Sequence, residues 1–234
     1  KTQNRCNRPQ HLTKVARILP QHYCAGMAIV LHSRQNYQEW GAGWVQDGVL
    51  AVGSLGDAQN LPRLREEGIT HVLTVASRLV VWEDKNGSPK DPPDGIVHLQ
   101  VDLDDHPRAD ILSALPECMA FIRGALGDSW PPPQCAEDRG KGAAILVHCA
   151  SGISRSVAVM AAFLMIATGM GLDDALRTIR RNRRHAKPNI GFQYQLECLE
   201  KSGMDIAAAT NLYKEGLKKD GEDDIGEVMR RQRQ

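Results

Sequence analysis

The sequence predicts an α/β domain, a central and mostly parallel sheet flanked by helices, with an oxyanion-holding loop between a strand and a helix. Two observations predict it. Short apolar, β-branched runs alternate with segments of helical period along the chain. The stretch Ala144–Ser156 runs from an apolar strand, through Cys149 and Arg155 separated by five residues, into a strongly helical run.

The elements follow in order. Val49–Val52 and His71–Ala76, bounded by glycine or serine, read as buried strands. Between them Asp57–Glu67 reads as a helix closed by Gly68. Ile96–Leu103 is the next strand, with Val97, Leu99, Val101 and Leu103 on one side by period two. Beyond Asp110, a helix cap, apolar Ile111, Leu115, Met119 and Ile122 recur at helical spacing. Pro116 sits close enough to the first turns to predict a late start or a kink. Prolines and glycines mark Ser129–Gly142 as a loop leading to strand Ala143–His148. Ser154–Thr168 is a helix apolar enough for burial on most sides, and Asp173–Arg184 is amphipathic with its arginines outward. In the last segment Ile206, Ala209, Tyr213 and Leu217 form a stripe expected to dock on the core. The tail from Asp220 is polar and charged, and is expected to fray. Residues 1–47 lack clean periodicity; their Trp40-Gly41-Ala42-Gly43-Trp44 cluster reads as packing.

The loop after His148 has the chemistry of a phosphate trap with a nucleophile at its floor. Amides of Ala150, Ser151, Gly152, Ile153 and Ser154 at a helix N-terminus would form a nest of donors, and the helix dipole adds positive charge. The same field favours a thiolate at Cys149 over a thiol. Arg155 carries the planar fork that matches two phosphate oxygens at once. Gly152 can take the positive φ of a tight turn, and the Ser156 hydroxyl can reach the sulfur. His148 has two readings, a hydrogen bonder that fixes the loop and biases Cys149 toward thiolate, or a satisfied structural histidine. A leaving oxygen needs an acid, and Asp102, Asp104, Asp105 and Asp110 crowd the loop after the third strand.

The run His-Cys-x-x-Gly-x-Ser-Arg-Ser at 148–156 resembles the signature of the cysteine-dependent protein phosphatases, in the form of their dual-specificity branch. Gly53–Asn60, Glu67–Leu73 and Pro188–Leu196 are similar to other segments of that branch, so the likeness spans about residues 48 to 200. The resemblance implies the cysteine-phosphatase fold and hydrolysis of phosphotyrosine and phosphoserine or phosphothreonine without metal or cofactor. It implies a phosphorylated protein as partner. It places the acid at Asp105, with Asp104 in reserve, and makes Asn189 the residue that ties down the phosphate loop. The expected organisation is an extension over residues 1–47, a catalytic domain over 48–202, and a helix with a charged tail over 203–234.

Composition narrows the alternatives. A net charge of +1 with 24% charged residues gives no global field toward nucleic acid or a membrane surface. No apolar run reaches the roughly 18 residues that span a bilayer. The six cysteines show no CxxC pairing, which argues against zinc and for a reducing compartment, cytosol or nucleus. The same chemistry on a phosphoinositide, glucan or RNA 5′ end stays open, though the loop has no lysine for a polyphosphorylated group; so does a low-turnover phosphate-binding scaffold. Arg177, Arg180, Arg181, Arg183, Arg184 and Lys187 form either a second anion site or a solvated face.

Overall fold

The structure, a computed structural model, describes residues 41–46, 48–127 and 142–219. Five strands form one sheet: β1 (Gly43–Gln46), β2 (Leu50–Gly53), β3 (His71–Val75), β4 (Val97–Val101) and β5 (Ile145–His148). Their order is β1-β2-β5-β3-β4, with β2, β5, β3 and β4 parallel and β1 antiparallel at the edge. β5 lies between two parallel neighbours, so the loop that leaves its carboxyl end stands over the middle of the sheet.

Period-two alternation divides the packing between two faces. Leu50, Val52, Leu73, Val75, Ile145 and Val147 join the larger core. On the other face Ala51, Val72 and Leu146 pack with Ala58, Leu64, Trp44 and Trp82. Seven helices complete the described fold: α1 (Leu55–Gln59), α2 (Leu61–Glu66), α3 (Ile111–Leu126), α4 (Arg155–Thr168), α5 (Leu172–Asn182), α6 (Ile190–Lys201) and α7 (Ile206–Lys219). As its composition predicts, α4 is buried almost all round, from Ser156 through Met165. Among the described residues no helix is long and apolar enough to cross a membrane.

Four differences from the sequence expectations have local causes. The single helix expected at Asp57–Glu67 is two. Pro62 has no N–H to continue α1, and Asn60 turns out of helical geometry so that its Oδ1 caps Arg63 N at 3.2 Å. The first of the two starts early, at Leu55, because Ser54 and Asp57 form a reciprocal capping box. The sheet begins before residue 48, since Gly43–Gln46 pairs with β2 across an irregular register. Such a short, bulged edge strand carries too little alternation to be seen in a sequence. Pro116 delays nothing, for α3 starts at Ile111, with Asp110 Oδ1 capping Ser113 N at 3.0 Å. Val97, expected inside, is 53% exposed at the sheet edge, whereas Val101 and Leu103 are buried.

Other expectations hold. Gly68 closes α2 at φ +70°. Trp44 is buried, and Ala209 and Tyr213 of α7 pack into the core, Tyr213 against Tyr194 with ring centroids 5.6 Å apart. Trp40, residues 129–141 of the proline-rich loop, and the tail from Asp220 lie outside the described residues.

α6 holds the start of α3. Buried Gln195 accepts from Ile111 N (2.9 Å) and Leu112 N (3.3 Å), and its Nε2 donates to Ala109 O at 2.8 Å. Gly191 meets the preceding loop so closely that an added Cβ would overlap the Pro107 carbonyl. Gly191→Ala is therefore expected to lower the urea midpoint by the equivalent of about 1–3 kcal/mol, which equilibrium unfolding checks.

Candidate active site

The chain leaves β5 at His148 and enters α4 at Arg155, and in the loop between, the five carbonyls from Cys149 to Ile153 are held from outside. His148 Nδ1 lies 3.3 Å from Cys149 O. Leu55 N donates to Ala150 O at 3.1 Å, and Lys187 N to Ile153 O at 2.8 Å. Arg183 takes the two in between, Nη2 donating to Ser151 O at 2.9 Å and Nε to Gly152 O. In a planar trans peptide the N–H points opposite the carbonyl. Outward carbonyls at 149–153 thus turn the amides of 150–154 inward, and Gly152 N does donate to Cys149 Sγ at 3.2 Å. Gly152 makes this possible at φ +67°, where an added Cβ would collide with Gly53 O and Arg183.

Cys149 lies at the floor of this nest, with Ser156 Oγ 3.3 Å from its sulfur. Burial alone would push the thiol pKa up. Hydrogen bonds from the Ser156 hydroxyl and amide and from the Gly152 amide, with the Arg155 charge, outweigh that and hold it below an ordinary cysteine. Buried Cys118 and Cys198, with one hydrogen bond each, behave oppositely: burial pushes them up to about 12 and about 11. Ser154, the residue before α4, makes no side-chain cap to the helix, which leaves the first-turn amides to an anion.

Arg155 reaches back to Leu103 O through Nη1 at 3.2 Å. Its buried Nε has no hydrogen-bond acceptor among the described residues. Of the four candidate acids, the structure brings Asp105 to this loop. Its Oδ1 accepts from Ser154 Oγ (2.6 Å) and Asn189 Nδ2 (2.9 Å), while Oδ2 lies 3.8 Å from Arg155 Nε. Asp110 is spent on capping α3, and Asp102 and Asp104 are exposed. Asn189 does tie this region together: its amide donates to Ser154 Oγ at 3.0 Å, and its Oδ1 caps α6.

The basic run divides. Arg177 pairs with Asp174 on the surface, and Arg181, Arg184 and Lys187 are exposed. Arg183 instead turns beneath the loop, donating also to Gly41 O and lying 3.8 Å from Asp57. Its guanidinium is thus committed to backbone carbonyls rather than offered to a second phosphate. Sequence reasoning missed this role, as it missed Thr74 and His98 behind His148, because each depends on contacts distant along the chain.

His148 is wholly buried, with Nε2 2.7 Å from Thr74 Oγ1, and burial lowers its pKa from 6.5 to about 4. His148 is thus a satisfied buried side chain whose ring also meets the Cys149 carbonyl, while the lowered pKa of Cys149 traces to Ser156, Gly152 and Arg155.

Fold and loop together define the class as the protein-tyrosine-phosphatase superfamily, and within it the chain belongs to the dual specificity phosphatases. Residues 50–202 match the family described as dual specificity phosphatase, catalytic domain. Dual specificity protein phosphatase 1B of Arabidopsis thaliana is 35% identical over 158 residues, 68% of this chain and 81% of the relative. Dual specificity protein phosphatase 12 of Rattus norvegicus is 36% identical over 156 residues, 65% of this chain but 39% of that longer protein. The crystal structure of DUSP15 superposes with a TM-score of 0.55 at 30% identity, covering 75% of this chain and 94% of that one. The protein is a dual-specificity protein phosphatase.

Two outcomes follow from this geometry. Arg183→Ala frees two loop carbonyls, so Kd for inorganic phosphate should rise roughly tenfold or more, while Arg184→Ala leaves it unchanged; titration calorimetry distinguishes them. The unfolded chain protonates His148 near 6.5, but the folded ring stays neutral to about 4. Stability is therefore full above pH 6.5 and falls as pH drops through that window, by up to roughly 3 kcal/mol from this residue. Urea midpoints across pH 7 to 4 should fall less steeply in His148→Gln than in wild type.

Proposed function

We propose that the protein hydrolyses phosphotyrosine and phosphoserine or phosphothreonine in proteins through a phosphocysteine intermediate. The Cys149 thiolate attacks phosphorus, forming an S–P bond as the P–O bond to the leaving group breaks. The equatorial oxygens rest on the amides of Ala150, Ser151, Gly152, Ile153 and Ser154 and on the Arg155 fork, which strengthen as charge develops. Protonated Asp105 gives its proton to the leaving oxygen through Oδ2, the oxygen not engaged by Ser154 and Asn189. Water then attacks the phosphocysteine, its proton passing to the Asp105 carboxylate, and the S–P bond breaks. Ser156 donates to the sulfur as it departs, and His148 keeps the loop in register.

The observation that carries this reading is the outward tethering of five consecutive carbonyls around a buried thiol whose pKa is lowered. A protein substrate accords with the family, and the absence of lysine within 149–156 gives no support to a polyphosphorylated headgroup.

Cys149→Ser should reduce turnover of an aryl phosphate by on the order of 10⁴-fold; retention of the wild-type rate would remove the thiolate mechanism. For Asp105→Asn the loss should reach roughly 10²-fold with poor leaving groups and shrink with good ones. A series of substituted phenyl phosphates reads that slope, and a loss independent of leaving group would reassign the acid.

A further inference from the structure

Behind the catalytic loop, one threonine hydroxyl on β3 touches two histidines on the strands either side of it. Thr74 sits opposite His148 of β5 and Gln100 of β4. Its Oγ1 lies 2.7 Å from His148 Nε2 and 2.8 Å from His98 Nε2. His98 is half-buried, its ring held edge-on against Trp82 at a centroid distance of 4.9 Å.

The direction of every bond in this chain follows from its inner end. A carbonyl only accepts, so the contact to Cys149 O requires a proton on His148 Nδ1. Burial keeps the ring neutral at ordinary pH, which leaves Nε2 bare. The Thr74 hydroxyl must then donate to His148 Nε2. Having one proton to give, it can only accept from His98, which fixes the proton of His98 on Nε2. The relay reads His98 Nε2–H to Thr74 Oγ1–H to His148 Nε2, and His148 Nδ1–H to Cys149 O.

We propose that Thr74 and His98 are positioning residues for the phosphate loop, acting through His148 to hold the Cys149 carbonyl outward and the first nest amide inward. Each donor polarises the next, so the outer histidine strengthens the innermost bond. This rests on reading Cys149 as the nucleophile, but its consequences appear in thiol titration and anion binding without turnover.

The test compares Thr74→Val, which keeps the shape and removes the hydroxyl, with Thr74→Ser, which restores it. His98→Phe and His98→Gln do the same for the outer donor. Three quantities are measured: the pH midpoint of iodoacetamide alkylation on the Cys149 peptide, the Kd of inorganic phosphate, and the urea midpoint. Thr74→Val should raise the alkylation midpoint and weaken phosphate binding roughly tenfold, Thr74→Ser should recover both, and His98→Phe should shift both in the same direction by less. A Thr74→Val protein with wild-type alkylation and phosphate binding, changed only in stability, overturns the proposal. Should Thr74→Val not fold, His98→Phe decides alone, and wild-type values for it overturn the relay. Inactivity of every protein, wild type included, would count against the proposed reaction, while the alkylation and phosphate shifts would still judge the relay.

Discussion

Everything in the site depends on where five carbonyl groups point. A nest of inward amides is unfavourable by itself, because its backbone oxygens must find donors elsewhere and its N–H groups repel one another until an anion arrives. Here the donors come from four places: a histidine side chain, the start of α1, a guanidinium that holds two of the carbonyls, and the segment before α6. The elements flanking β5 are therefore parts of one scaffold. Because the tethers are made by the protein's own groups, they hold the loop in a shape that suits an oxyanion.

The same arrangement resolves a conflict over the sulfur. A thiol with no solvent access should resist ionisation, and Cys118 and Cys198 in the helical core do so. Cys149 is equally enclosed yet shifted the other way, because its enclosure is made of donors. Burial in apolar side chains and burial in peptide dipoles have opposite effects on an anion. Of the three described cysteines, Cys149 is the one whose pKa is lowered.

Much of this was legible in the order of residues. The signature from His148 to Ser156 marks thiol, cation and hydroxyl because their chemistry depends on spacing within one turn between a strand and a helix. α4 announced its burial by composition, and Asp110 its cap by position. The choice of Asp105 over Asp104 came from resemblance, and the contacts to Ser154 and Asn189 give it a geometric basis. What stayed hidden depends on distant contacts. β1 has too few residues to alternate, and Asn60 with Pro62 splits a helix whose apolar pattern continues across the break. Arg183 is one arginine among five between residues 177 and 184, and nothing local distinguishes the one that turns inward. Thr74 reads as an ordinary strand residue until its two histidine neighbours are in place.

Gly191 has no side chain to hold α6 away from the segment it meets. By letting α6 lie directly against the Pro107 carbonyl, while Gln195 grips the start of α3, it braces the stretch that follows Asp105. The Asp105 carboxyl group is thereby kept beside the loop, in the grip of Ser154 and Asn189. That grip falls on Oδ1 alone, which leaves Oδ2 beside the Arg155 guanidinium.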